Sequence, residues 1–185
     1  AATGSSSGAV SMFHIVGVTP EAPTLEAAFQ GREPDDKIEI TMEQLRRSWN
    51  EMTTSSGTQL DLVVLGSPHL SIGELKRLLD LVKGKRAHPK VKFVVTTSRA
   101  VAHLAERSGV MEHLRAFGAT VTVDTCILTS PMVPDDARVL MTNAGKFAYY
   151  IPGLLGRDVV FGGMQDCVGS AIEGRVVMGD GWWKS

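Results

Sequence analysis

Leu60-Asp61-Leu62-Val63-Val64-Leu65-Gly66-Ser67-Pro68-His69-Leu70-Ser71-Ile72-Gly73-Glu74 holds a strand, a turn and the start of a helix. The apolar run from Leu62 to Leu65 shows little alternation, as expected of a strand buried on both faces. Ser71 followed three residues later by Glu74 reads as a capping box. Leu75, Leu78, Leu79 and Val82 then repeat at helical spacing, and Gly84 ends the helix. A doubly buried strand that feeds an amphipathic helix is the repeating unit of a parallel sheet with crossover helices.

The unit recurs downstream. Val91 to Thr96 reads as a second strand, followed by a helix capped by Ser98 and carrying Val101, Ala102 and Ala105. A further helical stretch from Met111 to Phe117 ends at Gly118. Thr120 to Val123, Arg138 to Met141 and Asp158 to Phe161 read as three more strands, the last followed by a helix over Asp166 to Ile172. Upstream, Lys37 to Ile40 reads as an edge strand, and Thr41 with Gln44 as another capping box before Leu45 and Trp49. The fold class is therefore α/β, a mostly parallel sheet flanked by helices. Residues 1–178 are expected to form one domain, and 179–185 a tail whose Trp182 and Trp183 dock on the domain's own core.

Composition narrows the functional classes. Of 185 residues, 43% are hydrophobic and 21% charged, which fits a globular domain with one sizeable core. Nineteen basic side chains stand against twenty acidic ones, so no electrostatic argument favours nucleic acid or an anionic membrane. No apolar run approaches the roughly 20 residues that span a bilayer. No secretory leader is visible, and two cysteines make no disulfide framework, so a reducing, cytoplasmic setting is expected. The Ser5-Ser6-Ser7-Gly8 start has linker composition. It equally suits a polar loop that feeds the apolar run from Ala9 to Val16, within which His14 reads as a core histidine.

Ligand-binding groups of an open α/β sheet collect at the carboxyl ends of the strands. There the chain offers Gly66-Ser67-Pro68-His69, Thr96-Thr97-Ser98-Arg99, Asp124-Thr125-Cys126, Thr142-Asn143-Ala144-Gly145-Lys146, and Gly162-Gly163 leading to Asp166-Cys167. This set of hydroxyls, an amide, a guanidinium, an ammonium, an imidazole and two thiols suits a small, polar, carboxylate-bearing substrate. Arg99 falls in a first helical turn, where a cation opposes the helix dipole, so an anionic partner is expected beside it. Thr97 and Ser98 fit a helix cap equally well. His69 fits a ligand, a proton shuttle or a structural hydrogen-bonder. Cys126 and Cys167, each just past a strand, fit either a shared metal site or two buried structural thiols.

Taken together, these motifs resemble the large catalytic part of the aconitase X family, which includes cis-3-hydroxy-L-proline dehydratases and archaeal phosphomevalonate dehydratases. The matching stretches are Ser6 to Val10 with Phe13-His14, Gly17 to Pro23, Gly66 to Ser71, Thr96 to Arg99, Val123 to Cys126, Met141 to Ala148, and Phe161-Gly162 with Asp166 to Val168. The resemblance implies an aconitase-like α/β domain and a hydro-lyase acting on a small hydroxy acid, with cis-3-hydroxy-L-proline ahead of 5-phosphomevalonate. It implies an iron or iron–sulfur centre held by three cysteines, with Cys126 and Cys167 as two ligands and the third either at the position of Ser67, where some relatives carry cysteine, or upstream. It places Arg99, Asn143, Thr97, His69 and the Ser5, Ser6 and Ser7 loop around the substrate, with Lys146 and Ser98 as catalytic candidates. It also implies that this chain is the C-terminal half of the large part, working with a missing N-terminal half and a small swivelling domain or subunit. Tyr149 or Tyr150 stands where the family pattern has histidine. A cluster-free binding or assembly module is the alternative, because only two cysteines are present.

Overall fold

A computed structural model describes residues 2–179. The expected tail, with Trp182 and Trp183, lies outside the described residues except for Gly179. Five strands form one parallel sheet: β1 (Leu62–Leu70), β2 (Lys92–Thr97), β3 (Ala119–Val123), β4 (Val139–Thr142) and β5 (Asp158–Phe161). Their order is β3-β2-β1-β4-β5, and every adjacent pair is parallel. Chain direction across the sheet reverses between β1 and β4, the switch point at which open α/β sheets open a crevice.

Helices sit on both faces because β1 and its neighbours are apolar on both. Val63, Leu65, Phe93, Val95, Met141 and Val160 pack one layer against α4 (Ile72–Val82), α5 (Arg99–Arg107), α6 (Val110–Phe117) and α8 (Met164–Glu173). Leu62, Val64, Val94, Leu140 and Val159 pack the other against Ile127 and against α7 (Gly145–Tyr150), with the π turn at Ile151–Leu155 that follows it. The caps read from sequence form: Ser71 and Glu74 close a reciprocal box on α4, and Ser98 accepts from the Val101 N–H. Gly118 ends α6 in the left-handed conformation.

Residues ahead of the sheet behave differently. α1 (Ala2–Gly8) rests on α7, where a Cβ on Gly145 would come within 2.7 Å of Thr3 Oγ1. The Gly/Ser start is thus a helix in a packed position. α2 (Leu25–Phe29) is short, and α3 (Met42–Glu51) carries the expected Thr41–Gln44 box. Lys37 to Ile40 is not a strand. No strand among the described residues pairs with it, and Ile38 and Ile40 are exposed. His14 is exposed as well, contrary to the expectation of a core histidine, because the run from Val10 to Val18 lies on the surface.

Candidate active site

The crevice begins inside β1. Its pairing with β2 is regular to Leu65, breaks, and resumes only at Leu70. Gly66 stands at φ +105, and a Cβ there would collide with the Thr96 carbonyl. Only glycine lets the strand leave the ladder at that point. The Thr96 hydroxyl donates to the Gly66 carbonyl, and the Thr97 hydroxyl donates to the Leu70 carbonyl at 2.6 Å, so both ends of the excursion are tied to β2. The Ser67–Pro68 peptide is cis. The loop thus carries His69 outward over the switch point, with Ser67 buried at its base.

Two other segments meet it. After β3 the chain turns through Asp124, which has φ +50, into the 3-10 turn Ile127–Thr129, bringing Cys126 over the sheet. After β4 the Thr142 hydroxyl accepts the Ala144 N–H, and α7 starts with Gly145 and Lys146. Together Gly66, Ser67, His69, Cys126 and Lys146 line a cavity of about 220 Å³. Ligand pockets commonly run to about 300–1,000 Å³, so the cavity is small for a complete ligand site, and its lining forms a wall of the switch-point crevice.

The chemistry of that wall is specific. His69 Nε2 lies 2.9 Å from the Thr125 carbonyl. A carbonyl only accepts, so Nε2 carries the proton, and in the neutral ring Nδ1 is the bare nitrogen. Cys126 is exposed. Burial opposes its ionisation, but hydrogen bonds from the Thr129 hydroxyl and the Leu128 and Thr129 N–H groups, with the Lys146 charge nearby, outweigh it. The thiol is therefore held below its ordinary 9.0, which favours the thiolate that binds metals and attacks electrophiles.

Other expected site residues stand elsewhere. Cys167 is fully buried in α8, within the core layer of Val63, Leu65 and Met141, whereas Ile127, next to Cys126, packs on the opposite face. Burial, then the Asp166 carboxylate, push the Cys167 thiol far up. Among the described residues no three His, Cys, Asp or Glu side chains are grouped to hold a metal. Ser98 spends its hydroxyl on the α5 cap. Arg99 is paired with Asp124, Nε to Oδ2 at 3.0 Å, so the expected anion is a carboxylate of the chain itself. Thr97 is sealed in the sheet, and Asn143 stays outside the cavity wall. The Ser6 and Ser7 hydroxyls donate back to Ala2 and Thr3 carbonyls within α1, and the Ser5 hydroxyl reaches Ala2 at 3.5 Å.

A wider concavity of about 1150 Å³ opens at the β5 edge, bounded by Trp49, Arg77, Asp80, Phe161, Asp166 and Met178 among others. Sequence reading did not find it, because Trp49 meets Phe161, at 4.5 Å between ring centres, across a gap of 112 positions. It holds none of the thiol, imidazole or ammonium groups of the switch-point wall.

Comparison with known proteins agrees with the fold. Residues 60–173 match the aconitase X third domain, and residues 1–50 match the aconitase X second domain. The chain belongs to the aconitase X family. A cis-3-hydroxy-L-proline dehydratase of Pseudomonas aeruginosa is 48% identical over the whole of this chain and 32% of its own length. A cis-3-hydroxy-L-proline dehydratase of Hypocrea jecorina is 43% identical over 88% of this chain and 28% of its own length. The phosphomevalonate dehydratase large subunit of Methanosarcina mazei is 37% identical over 91% of this chain and 39% of its own length. The crystal structure of Thermococcus kodakaraensis aconitase X in its holo form superposes with a TM-score of 0.64 at 27% identity, covering 75% of this chain and 36% of that one. The chain thus spans about a third of the length of these aconitase X relatives. Among the described residues no helix is long and apolar enough to cross a membrane.

Proposed function

We propose that this chain supplies one wall of the active site of a hydro-lyase that removes water from a small hydroxy carboxylic acid, cis-3-hydroxy-L-proline. The observation that carries this reading is the 48% identity to the Pseudomonas aeruginosa dehydratase over the full chain, against 37% to the Methanosarcina mazei phosphomevalonate dehydratase large subunit. The strand-end chemistry supports it. Lys146 gives the wall one ammonium to draw a carboxylate inward, and His69 stands beside it with Nε2 on the Thr125 carbonyl. Neither alone meets a dianionic phosphate with the multiple cations such a group ordinarily takes.

Dehydration removes a proton beside the carboxylate and a hydroxide from the neighbouring carbon. The base stands on the part of the protein beyond this chain, because Ser98 is committed to its cap. An iron or iron–sulfur centre, where bound, supplies Lewis acidity to the leaving hydroxyl. Toward such a centre this chain offers Cys126, with Ser67 and His69 beside it. Further ligands come from the rest of the protein or from Cys167, the buried thiol of α8. The role of the chain's own residues is to bind the carboxylate and wall the crevice from water. The working enzyme is cytoplasmic and needs the remaining large part and a small swivelling domain.

The test uses this chain joined to the regions its relatives possess beyond it. Loss of water from cis-3-hydroxy-L-proline gives an enamine that tautomerises to a cyclic imine acid, which can be trapped and read by absorbance. Turnover of the proline is expected. Turnover of 5-phosphomevalonate in its place would overturn the substrate assignment, and turnover of neither would favour a binding or assembly role.

A further inference from the structure

Cys126 sits on an exposed loop, yet both residues before it are held. Asp124 donates its N–H to the Thr97 carbonyl at 3.1 Å. Its carboxylate accepts from two groups of one residue: the Arg99 N–H reaches Oδ1 at 2.9 Å, and the Arg99 Nε reaches Oδ2 at 3.0 Å. Thr125 is held from the other side by His69 Nε2. Asp124 takes a positive φ of 50, a region that Asp and Asn enter more readily than most side chains. That twist turns the chain from β3 toward the crevice. Arg99 opens α5, where its backbone N–H is one of the unsatisfied donors of a helix start, so the carboxylate also completes the helix end.

We propose that Arg99 and Asp124 are positioning residues for Cys126: the paired grip of the Arg99 backbone N–H and Nε on the Asp124 carboxylate fixes the loop that presents the thiol beside His69 and Lys146. This rests on the switch-point cavity being the active site. It assigns Arg99 a duty different from gripping a substrate carboxylate, since the face of its guanidinium that carries Nε is already on Asp124. The arrangement is economical in distance. β2 ends at Thr97, α5 begins two residues on at Arg99, and the loop it holds leaves the adjacent strand β3.

The experiment measures amide hydrogen exchange in the ligand-free chain, with Arg99→Ala and Asp124→Asn. The amides of Asp124 and Thr129, whose N–H groups bond Thr97 and Cys126 carbonyls, report the loop, and those of Val94 and Val95 report the sheet. Arg99→Ala is expected to speed exchange at the loop about threefold to tenfold, as loss of a charge-assisted contact does locally, with the sheet unchanged. Asp124→Asn should act in the same direction but less, since its amide oxygen still accepts the Arg99 N–H. Arg99 is exposed, so neither change threatens the fold. A nitroxide on Cys126, the exposed thiol of the two, should likewise sharpen its spectrum in Arg99→Ala. Unchanged loop exchange in both variants overturns the proposal. So does a raised KM for Arg99→Ala in the longer enzyme alongside an unchanged loop, which would return Arg99 to the substrate. Failure of the enzyme to turn over any hydroxy acid would remove the functional reading and leave the exchange result to decide this one.

Discussion

From Leu60 to Glu173 the large apolar side chains face one of two core layers: Phe93, Phe117, Leu65, Leu75 and Leu114 on one side, and Leu62, Leu140, Phe147 and Ile151 on the other. From Ala2 to Asn50 the only buried apolar residue is Ala22, while Met12, Phe13, Ile15, Val18, Leu25, Ile38 and Ile40 stand in solvent. Both regions are apolar in sequence, so hydrophobic content by itself does not make a core. The second meets the sheet region through α1 on α7 and Trp49 on Phe161, and leaves the apolar side chains between them uncovered. Contiguous exposed apolar surface marks an interaction face, and relatives three times as long supply candidates to cover it. The border between the two behaviours coincides with the border between the matches to the second and third domains.

The contrast breaks most readily at Phe93. It is 1% exposed and meets Phe117 edge-to-face at 5.1 Å between ring centres. Phe93→Ala should destabilise the sheet region by about 3–5 kcal/mol, since the close-packed layer cannot collapse into the gap. Chemical denaturation checks it. A cost below about 1 kcal/mol, the scale of an ordinary surface change, would show that the layer is not packed as described.

A smaller effect is expected at Asp61, which staples the starts of β1 and β4. Its Oδ2 accepts the Arg138 N–H at 2.8 Å and the Val139 N–H at 2.9 Å. Partial burial raises the carboxyl's pKa, but the bonds from Val139 and Arg138, the Gln59 amide and the Arg138 charge outweigh it, so the pKa lies below the ordinary 3.8. A depressed folded pKa stabilises the fold above the unfolded value, and that contribution is lost as pH falls through the folded one. Asp61→Ala should therefore cost about 1–2 kcal/mol at pH 7, discounted for solvent, and the gap to the parent should close as pH drops below about 3.8. A gap independent of pH would locate the effect in packing.

How far the sequence shows this arrangement depends on the range of the forces involved. Strand and helix positions in the sheet are legible because burial on two faces and local caps such as Ser71 with Glu74 leave short-range patterns. The switch-point wall is partly legible: Ser67, His69, Cys126 and Lys146 all follow strands, and the parallel order brings them together. Arg99 is visible as a cation in need of an anion, but its partner depends on the left-handed turn at Asp124. Cys167 shares the strand-end position of Cys126, and only the tertiary packing of α8 decides that one thiol is sealed and the other open. Lys37 to Ile40 alternates as a strand would, yet an edge needs a neighbour to pair with, and no local pattern records whether one exists. The Asp61 staple reaches 77 positions along the chain and leaves no local trace.

The smallest effect is expected where the contrast is sharpest, at Phe13. Its ring is 50% exposed, and it lies in no helix or strand. In this chain Phe13→Ser should change stability by no more than about 0.5 kcal/mol, the range of surface substitutions away from caps and buried networks. In a longer protein whose remaining part covers the Val10 to Val18 stretch, the same change removes a buried aromatic, and the cost should rise to several kcal/mol, on the order of large-to-small core substitutions. The pair of measurements separates intrinsic exposure from a missing partner. A large cost in this chain would mean that residues 10–18 pack on the sheet region, erasing the difference between the two regions. Equal, small costs in both would leave the stretch as a true surface and move the docking face elsewhere, toward the concavity bounded by Trp49 and Phe161 at the β5 edge.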